Sequence, residues 1–150
     1  MASMKLDIIT AERIVYAGNA EVLVAPGLDG ELGILPRHAP LLSALKAGEI
    51  RIVVDGDERF IAVSGGFLEV LNNTVTVLAD TAEHSDEIDE ERAELALKRA
   101  QERIMNAPAD MDLERAMAAL RRSEIRVAVS KRSVTGRRRR QEQPQQPNAS

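Results

Sequence analysis

Cysteine and tryptophan are absent from this 150-residue sequence, and its aromatic residues are one tyrosine and two phenylalanines. Without cysteine the chain has no thiol nucleophile, no disulfide and no thiolate metal ligand. The shortage of rings predicts a core of aliphatic side chains. It also argues against a platform for single-stranded nucleic acid, which needs aromatic rings on which bases stack.

Long apolar runs are missing as well. No run approaches the roughly 20 residues that a helix needs to cross a bilayer, and residues 1–5 have neither an apolar signal segment nor the composition of a transit peptide. The sequence therefore predicts a protein that stays in the compartment where it is made. We expect it to reach a membrane only through a protein partner.

Groups of residues that could form a catalytic site are also scarce. The two histidines, His38 and His84, are 46 positions apart, and no Gly-x-x-x-x-Gly-Lys phosphate loop is present. We therefore expect no catalytic residues and no metal site. The basic run Arg137–Arg140 could attract nucleic acid electrostatically, but it follows an acidic first half and lies in a polar tail, so no nucleic-acid partner is expected.

Charge divides the chain. Residues 1–85 carry 6 basic and 12 acidic side chains, whereas residues 86–150 carry 14 basic and 12 acidic ones. The periodicity of the apolar residues changes at the same place. We therefore predict a first domain at residues 1–84, a second at 85–132, and a disordered, low-complexity tail at 133–150.

The first domain has the pattern of an all-β structure, because short segments of residues that favour strands are separated by the turn-forming residues Gly, Pro, Asn and Asp. Asp55-Gly56 and Asn72-Asn73 are hairpin signals. The pattern predicts an N-terminal antiparallel β-sandwich, or flattened barrel. We expect Ile50–Val54, within the strand Glu49–Val54, to pair with Arg59–Val63. The expected strands are Lys5–Ile9, Arg13–Ala17, Glu21–Ala25, Glu31–Leu35, Leu41–Leu45, Glu49–Val54, Arg59–Val63, Phe67–Leu71 and Val75–Ala79.

The second domain has helical periodicity. Apolar residues recur every three or four positions from about Asp89 to Asn106 and from about Asp112 to Lys131, which predicts an antiparallel two-helix hairpin after a polar joint at Thr81–Asp86. Many of the inward positions are alanines, so the hairpin buries little area. At roughly 25 cal/mol per Å² its docking on the sandwich is expected to be weak, which would allow it to detach and extend.

Two segments of the first domain resemble the epsilon subunits of bacterial F-type ATP synthases: Gly30–Leu42, which reads GELGILPRHAPLL, and Val63–Val70, which reads VSGGFLEV. The likeness extends over about residues 4–132. It implies a non-catalytic rotor subunit whose sandwich binds the gamma shaft and the c-subunit ring, with Glu31 and His38 at the ring. It also implies that the helices face the alpha and beta subunits.

A second motif, Ile88–Ala93 (IDEERA), resembles the nucleotide motif of epsilon subunits that bind ATP. The likeness implies that ATP is a regulatory ligand, with no cofactor required. By that likeness the adenosine side would be held by Glu83, Ile88, Asp89, Arg92 and Ala93. The phosphates would be met by Arg99, Arg122 and Arg126.

The spacing of the arginines supports this interpretation independently. Arg92 and Arg99 fall on one side of the first helix, and Arg122 and Arg126 on one side of the second. Like charges four residues apart repel, and a polyphosphate between the helices would replace that repulsion with charge-assisted hydrogen bonds. The alternatives are an ordinary salt-bridged surface, or arginines that contact acidic loops of catalytic subunits when the hairpin extends.

These observations together predict a subunit with a fixed sandwich and a mobile hairpin. ATP would favour the compact hairpin, because only there do both helices offer arginines to one ligand. When ATP is scarce, the hairpin would extend along gamma and restrain ATP hydrolysis. The expected location is the cytoplasmic face of the bacterial membrane, as a peripheral part of a proton-translocating complex. The alternative is the same rotor subunit with a structural or inhibitory hairpin and no ATP binding.

Overall fold

The computed structural model describes residues 2–142, with side chains described for residues 2–132. Eight strands are followed by a short 3-10 turn, Ser85–Glu87, and by two α-helices. The strands are β1 Met4–Ile9, β2 Ile14–Ala20, β3 Val22–Gly27, β4 Gly30–Ile34, β5 Leu41–Val54, β6 Asp57–Leu71, β7 Thr74–Ala79 and β8 Ala82–His84. The helices are α1 Glu90–Met105 and α2 Leu113–Glu142.

The strands form one mixed sheet in the order β2-β1-β7-β6-β5-β3-β4, with β8 paired to β6. Every pair is antiparallel except β1 with β7. Both predicted hairpin turns are present, since Asp55, Asn72 and Asn73 have positive φ angles of 52°, 49° and 57°. The β-sandwich followed by two helices is therefore confirmed.

Two strands are longer than the sequence pattern indicates. The pattern divides β5 into Leu41–Leu45 and Glu49–Val54, and β6 into Arg59–Val63 and Phe67–Leu71, but each is continuous. In each strand the division falls at glycine, which allows the strand to bend without a turn. One cross-strand pair is missing there, because Lys46 faces Gly65 and the next pair is Gly48 with Val63, but the register is the same on both sides.

These bends divide the sheet into two layers. The first layer contains β1, β2, β7 and the halves of β5 and β6 nearest Leu41 and Leu71; the second contains β3, β4, β8 and the other halves. Between the layers lies the main core, built of side chains such as Leu6, Ile50 and Leu68, which are fully buried. Burial of these aliphatic groups is the principal stabilising contribution to the sandwich.

The joint between the domains differs from the prediction of a polar linker. Residues 82–84 form β8 on the edge of β6, and residues 85–87 form the 3-10 turn. Arg13 fastens this joint to the sandwich, because its guanidinium donates to both oxygens of Glu87 at 2.6 and 3.1 Å and to the carbonyl oxygen of Ala82 at 3.1 Å. Paired backbone and an arginine fork thus replace the expected loose connection.

Helix α1 begins where its sequence predicts. The side chain of Asp89 accepts a hydrogen bond from the backbone N–H of Arg92 at 3.2 Å and caps the helix. Asp112 caps α2 in the same way, by accepting from the N–H of Arg115 at 3.1 Å.

The end of α2 differs from the prediction. The helix continues to Glu142, so residues 133–142 are helical where the sequence pattern indicates disorder. Arginine is a good helix former and no proline occurs between Pro108 and Pro144, which accounts for the continuation. The rest of the predicted tail, 143–150, lies outside the described residues. No helix within residues 2–142 is both long enough and apolar enough to span a bilayer.

The hairpin lies on the second layer of the sandwich. Helix α2 packs against β5 and β6, and α1 packs on α2. A separate small core joins Ala62 of β6 to Ala93 of α1 and Val127 and Val129 of α2. The two helices are antiparallel, since Lys131 near the middle of α2 lies 3.6 Å from Glu94 near the start of α1. The two cores do not merge.

Arg132 adds a polar contact to this docking. Its guanidinium donates to both oxygens of Glu49 at 3.2 and 3.4 Å and lies 5.1 Å from the ring centre of Phe60. Exposed ion pairs and cation–π contacts each contribute on the order of 0.5–1 kcal/mol. Such contacts compensate in part for the small apolar area.

Replacing Arg132 with alanine should therefore loosen α2 without weakening the sandwich. We expect amide hydrogen exchange in α2 around residues 125–132 to accelerate about five- to thirtyfold, which corresponds to the loss of both contacts. Exchange in β1 and β7 should stay unchanged. Arg121→Ala, which removes an exposed arginine from the same helix, is the matched control. Equal exchange in the two variants would contradict a role for Arg132 in docking.

Candidate functional site

A cavity of about 510 Å³ lies between α1, the middle of α2 and the joint. Its volume falls within the range of small-molecule sites. Three arginines line it, Arg92 and Arg99 from α1 and Arg126 from α2. Packing of the two helices brings them together, because it places the first turns of α1 beside the middle turns of α2. Positive side chains from both helices therefore face one space.

Arg126 is already engaged on one side of this cavity. Its Nε donates to one carboxylate oxygen of Glu83 at 2.7 Å, and its Nη2 donates to the other at 3.2 Å. Glu83 lies in β8, so this fork connects the sandwich to α2. The pair is partly exposed, with 40% and 36% of the two side chains accessible to solvent, and such pairs contribute about 1 kcal/mol or less.

The other residues predicted for the site occupy different positions. Asp89 lines the cavity and caps α1 at the same time. Ile88 and Ala93 are buried in the small core between the helices and the sandwich. They do not line the cavity, but they support the residues that do. Arg122 is exposed and does not line it. The structure thus brings together Asp89, Arg92, Arg99, Arg126 and, through its ion pair, Glu83.

Three lining residues were missed from the sequence: Glu87, Leu95 and Ala96. Leu95 and Ala96 lie one helical turn from Arg92 and Arg99, so helical spacing alone could have indicated them. Glu87 could not be found in that way. It lies in the 3-10 turn and is held by Arg13, a residue 74 positions earlier in the chain.

Glu31 and His38 do not lie together. Glu31 is at the start of β4 and lines a second cavity of about 420 Å³ with Glu49, Arg51 and Arg132. His38 follows the end of β4 in a turn where its N–H donates to the carbonyl of Leu35 at 3.1 Å. Its Nδ1 lies 2.7 Å from the carbonyl oxygen of Ala39. A strand rise of about 3.3 Å per residue places the two residues at opposite ends of β4.

An unpredicted feature is an apolar row on the outer face of the first layer. It crosses five neighbouring strands, because cross-strand partners follow one another from Ala44 to Phe67, Leu78, Ile9 and Ile14. Phe67, Leu78 and Ile14 are 57%, 55% and 67% exposed. The hairpin covers the other layer, so within residues 2–142 nothing covers this row.

The sequence contains a signal for this apolar row. A strand with one buried face alternates apolar and polar residues, but Phe67-Leu68 and Val77-Leu78 are consecutive apolar pairs. One member of each pair, Leu68 and Val77, is in the core and the other is outside. An exposed apolar surface of this extent on a small protein usually marks an interface with another protein.

Metal ligands are not gathered at any of these places. Within the described residues no group of three or more His, Asp or Glu side chains could hold a metal ion. The chemistry available at the cavity is therefore that of charge and hydrogen bonding. Guanidinium groups from two helices can bind phosphate oxygens in pairs.

Two solved structures with a chain of this fold are ATP synthase complexes. One chain of a Euglena gracilis mitochondrial ATP synthase, in a structure of its OSCP/F1/c-ring, superposes with a TM-score of 0.73 over 90% of this chain and 82% of that one, at 20% identity. A chain in the central stalk/c-ring structure of the Tetrahymena thermophila enzyme gives a TM-score of 0.55 over 87% and 95%, at 17% identity. These likenesses show that the two chains share the fold of this one.

Sequence comparison specifies the family. Residues 3–85 match the β-sandwich domain of the ATP synthase delta/epsilon chain, and residues 86–131 match its long α-helix domain. The ATP synthase epsilon chain of Moorella thermoacetica is 50% identical over 85% of this chain and 96% of its own length. That of Desulforamulus reducens is 48% identical over 83% and 95%. The chain belongs to the ATP synthase delta/epsilon chain family.

Proposed function

We propose that the chain is a non-catalytic rotor subunit of a proton-translocating F-type ATP synthase, whose sandwich joins the gamma subunit to the c-subunit ring and whose hairpin responds to ATP. Its place would be the cytoplasmic face of the bacterial membrane, as a peripheral part of the complex. The single observation that carries the regulatory part is the cavity between the helices, into which Arg92, Arg99 and Arg126 converge.

The apolar row supports docking on gamma. Phe67 and Leu78 are directly opposite each other on β6 and β7, and both side chains are more than half exposed. Aromatic and aliphatic side chains at the centre of an interface contribute most of its binding energy. An elongated shaft protein that covers this face would bury the row while leaving the second layer free for the hairpin.

The ring contact is proposed at Glu31 and His38, as the family resemblance implies. Because the two lie at opposite ends of β4, the contact would run along this strand rather than be confined to one loop. Leu35, 57% exposed in the turn before His38, offers an apolar contact beside them. The local hydrogen bonds of His38 hold this turn in a fixed shape, which suits a surface that must transmit torque.

ATP sensing follows from the geometry of the cavity. A triphosphate between the helices would receive donors from α1 and α2 together, so it would bind the compact hairpin and lose the donors of one helix when the hairpin extends. A ligand shifts a conformational equilibrium only by its difference in affinity for the two forms. Arg92 and Arg99 on one helix and Arg126 on the other supply that difference, and the alpha and beta subunits would meet the helices in the extended form.

Isothermal titration of the full chain with ATP tests the regulatory proposal. We expect saturable binding, and we expect Arg126→Ala to weaken it about tenfold or more, because a charge-assisted hydrogen bond contributes about 1.5–3 kcal/mol. Arg92→Ala should have a comparable effect. Arg121→Ala, a neighbouring arginine of α2 that does not line the cavity, is the control. No heat at millimolar ATP with the wild-type chain would exclude sensing.

One observation favours a second function, in which the hairpin is structural or inhibitory and does not bind nucleotide. Arg126 is already paired with Glu83, and Arg122 faces away from the cavity. In that case the arginines fasten the compact hairpin or contact the catalytic subunits. The same titration distinguishes the two functions, since only the first predicts heat that depends on Arg126.

A further inference from the structure

Arg13 lies outside the two-helix domain, yet its side chain binds a residue that lines the cavity. It directly precedes β2, and its side chain forms a parallel two-bond fork with Glu87, at 2.6 and 3.1 Å. Glu87 in turn lines the cavity beside Asp89 and the three arginines. Arg13 therefore contacts Glu87, a residue that lines the cavity, from the side of the sandwich.

The backbone around Arg13 is held in place. Its N–H donates to the hydroxyl oxygen of Thr10 at 3.2 Å, and its carbonyl oxygen accepts from the N–H of Thr10 at 2.9 Å. A third side-chain bond runs from Arg13 to the carbonyl of Ala82 in β8. Hydrogen bonds thus hold both the backbone of Arg13 and its guanidinium. We therefore expect Arg13 to set the position of the Glu87 carboxylate.

The charge balance of the cavity depends on this contact. Three arginines and two acids line it, but Arg126 is neutralised by Glu83, so Arg92 and Arg99 face Glu87 and Asp89 with no surplus of positive charge. A triphosphate would then meet two carboxylates on its own wall. When Glu87 is paired with Arg13, one of these negative charges is compensated and the cavity becomes net positive.

Protonation does not supply this compensation. The hydrogen bonds from Arg13 hold the pKa of the Glu87 carboxyl below its ordinary value, and the attraction of the Arg13 charge acts in the same direction, against a smaller opposing effect of burial. Glu87 therefore remains ionised at neutral pH. Its negative charge has to be balanced by a neighbouring cation.

We propose that Arg13 is a positioning residue of the nucleotide site, which makes the cavity between α1 and α2 receptive to polyphosphate by neutralising Glu87 and turning its carboxylate toward the sandwich. This inference rests on the proposed ATP binding and extends it to the sandwich. It also connects the two domains, because the domain attached to the rotor contributes to the affinity of the regulatory site.

The test is a double-mutant cycle, measured by titration of the full chain with ATP. Arg13→Gln leaves an uncompensated carboxylate, so ATP affinity should fall about fivefold. Glu87→Gln removes that carboxylate and releases the Arg13 charge, so affinity should rise about threefold. The double variant should return to within about twofold of wild type. A purely structural fork predicts the opposite sign for Glu87→Gln and no recovery in the double variant, and that result would overturn the proposal.

Two further measurements separate the possible failures. AMP carries less charge than ATP, so the effect of Arg13→Gln should be smaller for AMP if it is electrostatic. Arg51→Gln breaks a similar exposed ion pair, Arg51–Glu58 at 2.9 Å, away from this cavity and should change nothing. If the wild-type chain binds ATP but the Glu87→Gln variant does not bind ATP more tightly, the role of Arg13 is refuted and ATP sensing stands. If the wild-type chain binds no ATP, both proposals fail. Should Arg13→Gln not fold, the sign of the Glu87→Gln effect decides.

Discussion

Gly66→Ala is expected to destabilise the sandwich strongly, with a loss of about 3 kcal/mol or more in the free energy of unfolding. Gly66 has a φ angle of +142°, which side chains rarely adopt. A methyl group there would meet the backbone of β7, at the carbonyl of Leu78 and 2.9 Å from the Cα of Ala79. Backbone strain of about 1–3 kcal/mol and overpacking of a similar size add together.

Urea denaturation measures this loss, and the single tyrosine is a convenient probe, since Tyr16 is in β2 and reports on the sandwich. Gly33→Ala is the matched control. Gly33 is also a strand glycine, but a methyl group there would meet nothing within 4 Å. We expect Gly33→Ala to change stability by less than about 1 kcal/mol. Equal effects of the two substitutions would show that the bend of β6 does not depend on glycine.

The same glycines explain how far the sequence predicted the fold. Turns and helix starts followed from local patterns: Asn72-Asn73 for a hairpin, and the helical periodicity from about Asp89 for the start of α1. The continuity of β5 and β6 did not, because a bend at glycine and a turn at glycine have the same composition. Which side of each bend faces the core depends on pairing between distant residues, such as Leu45 with Gly66, and local patterns do not contain that information.

The candidate site divides in a similar way. The family resemblance named Arg92, Arg99 and Arg126, and helical spacing with antiparallel packing supports their meeting in one place, whereas Asp89 was named by the resemblance alone. Arg122, also named by the resemblance, does not line the cavity. Spacing fixes the relative angle of residues on one helix but not the rotation of that helix against its neighbour. Glu87 and Arg13 could not be predicted, since their contact joins residues 74 positions apart across two domains.

Leu78→Glu is expected to abolish docking of the proposed gamma partner while leaving the fold intact. Leu78 is 55% exposed and lies in the middle of the apolar row, between Phe67 and Ile9. In the free chain a glutamate there stays in water and costs the sandwich little. In an interface it would be buried without a partner, and an uncompensated buried charge costs about 3–5 kcal/mol, which corresponds to a loss of affinity of about 100-fold or more.

The measurement is binding of the full chain to its cognate gamma subunit by biolayer interferometry, together with a thermal melt to confirm folding. Met105→Glu is the control, because Met105 is 83% exposed but lies at the end of α1, on the hairpin and away from the apolar row. We expect it to bind gamma with nearly wild-type affinity. If Leu78→Glu bound as well as Met105→Glu, gamma would have to occupy another face, and the row would remain open for a different partner. Loss of binding confined to Leu78→Glu would place the shaft on the first layer, opposite the hairpin, so that the hairpin could move while the rotor attachment stays in place.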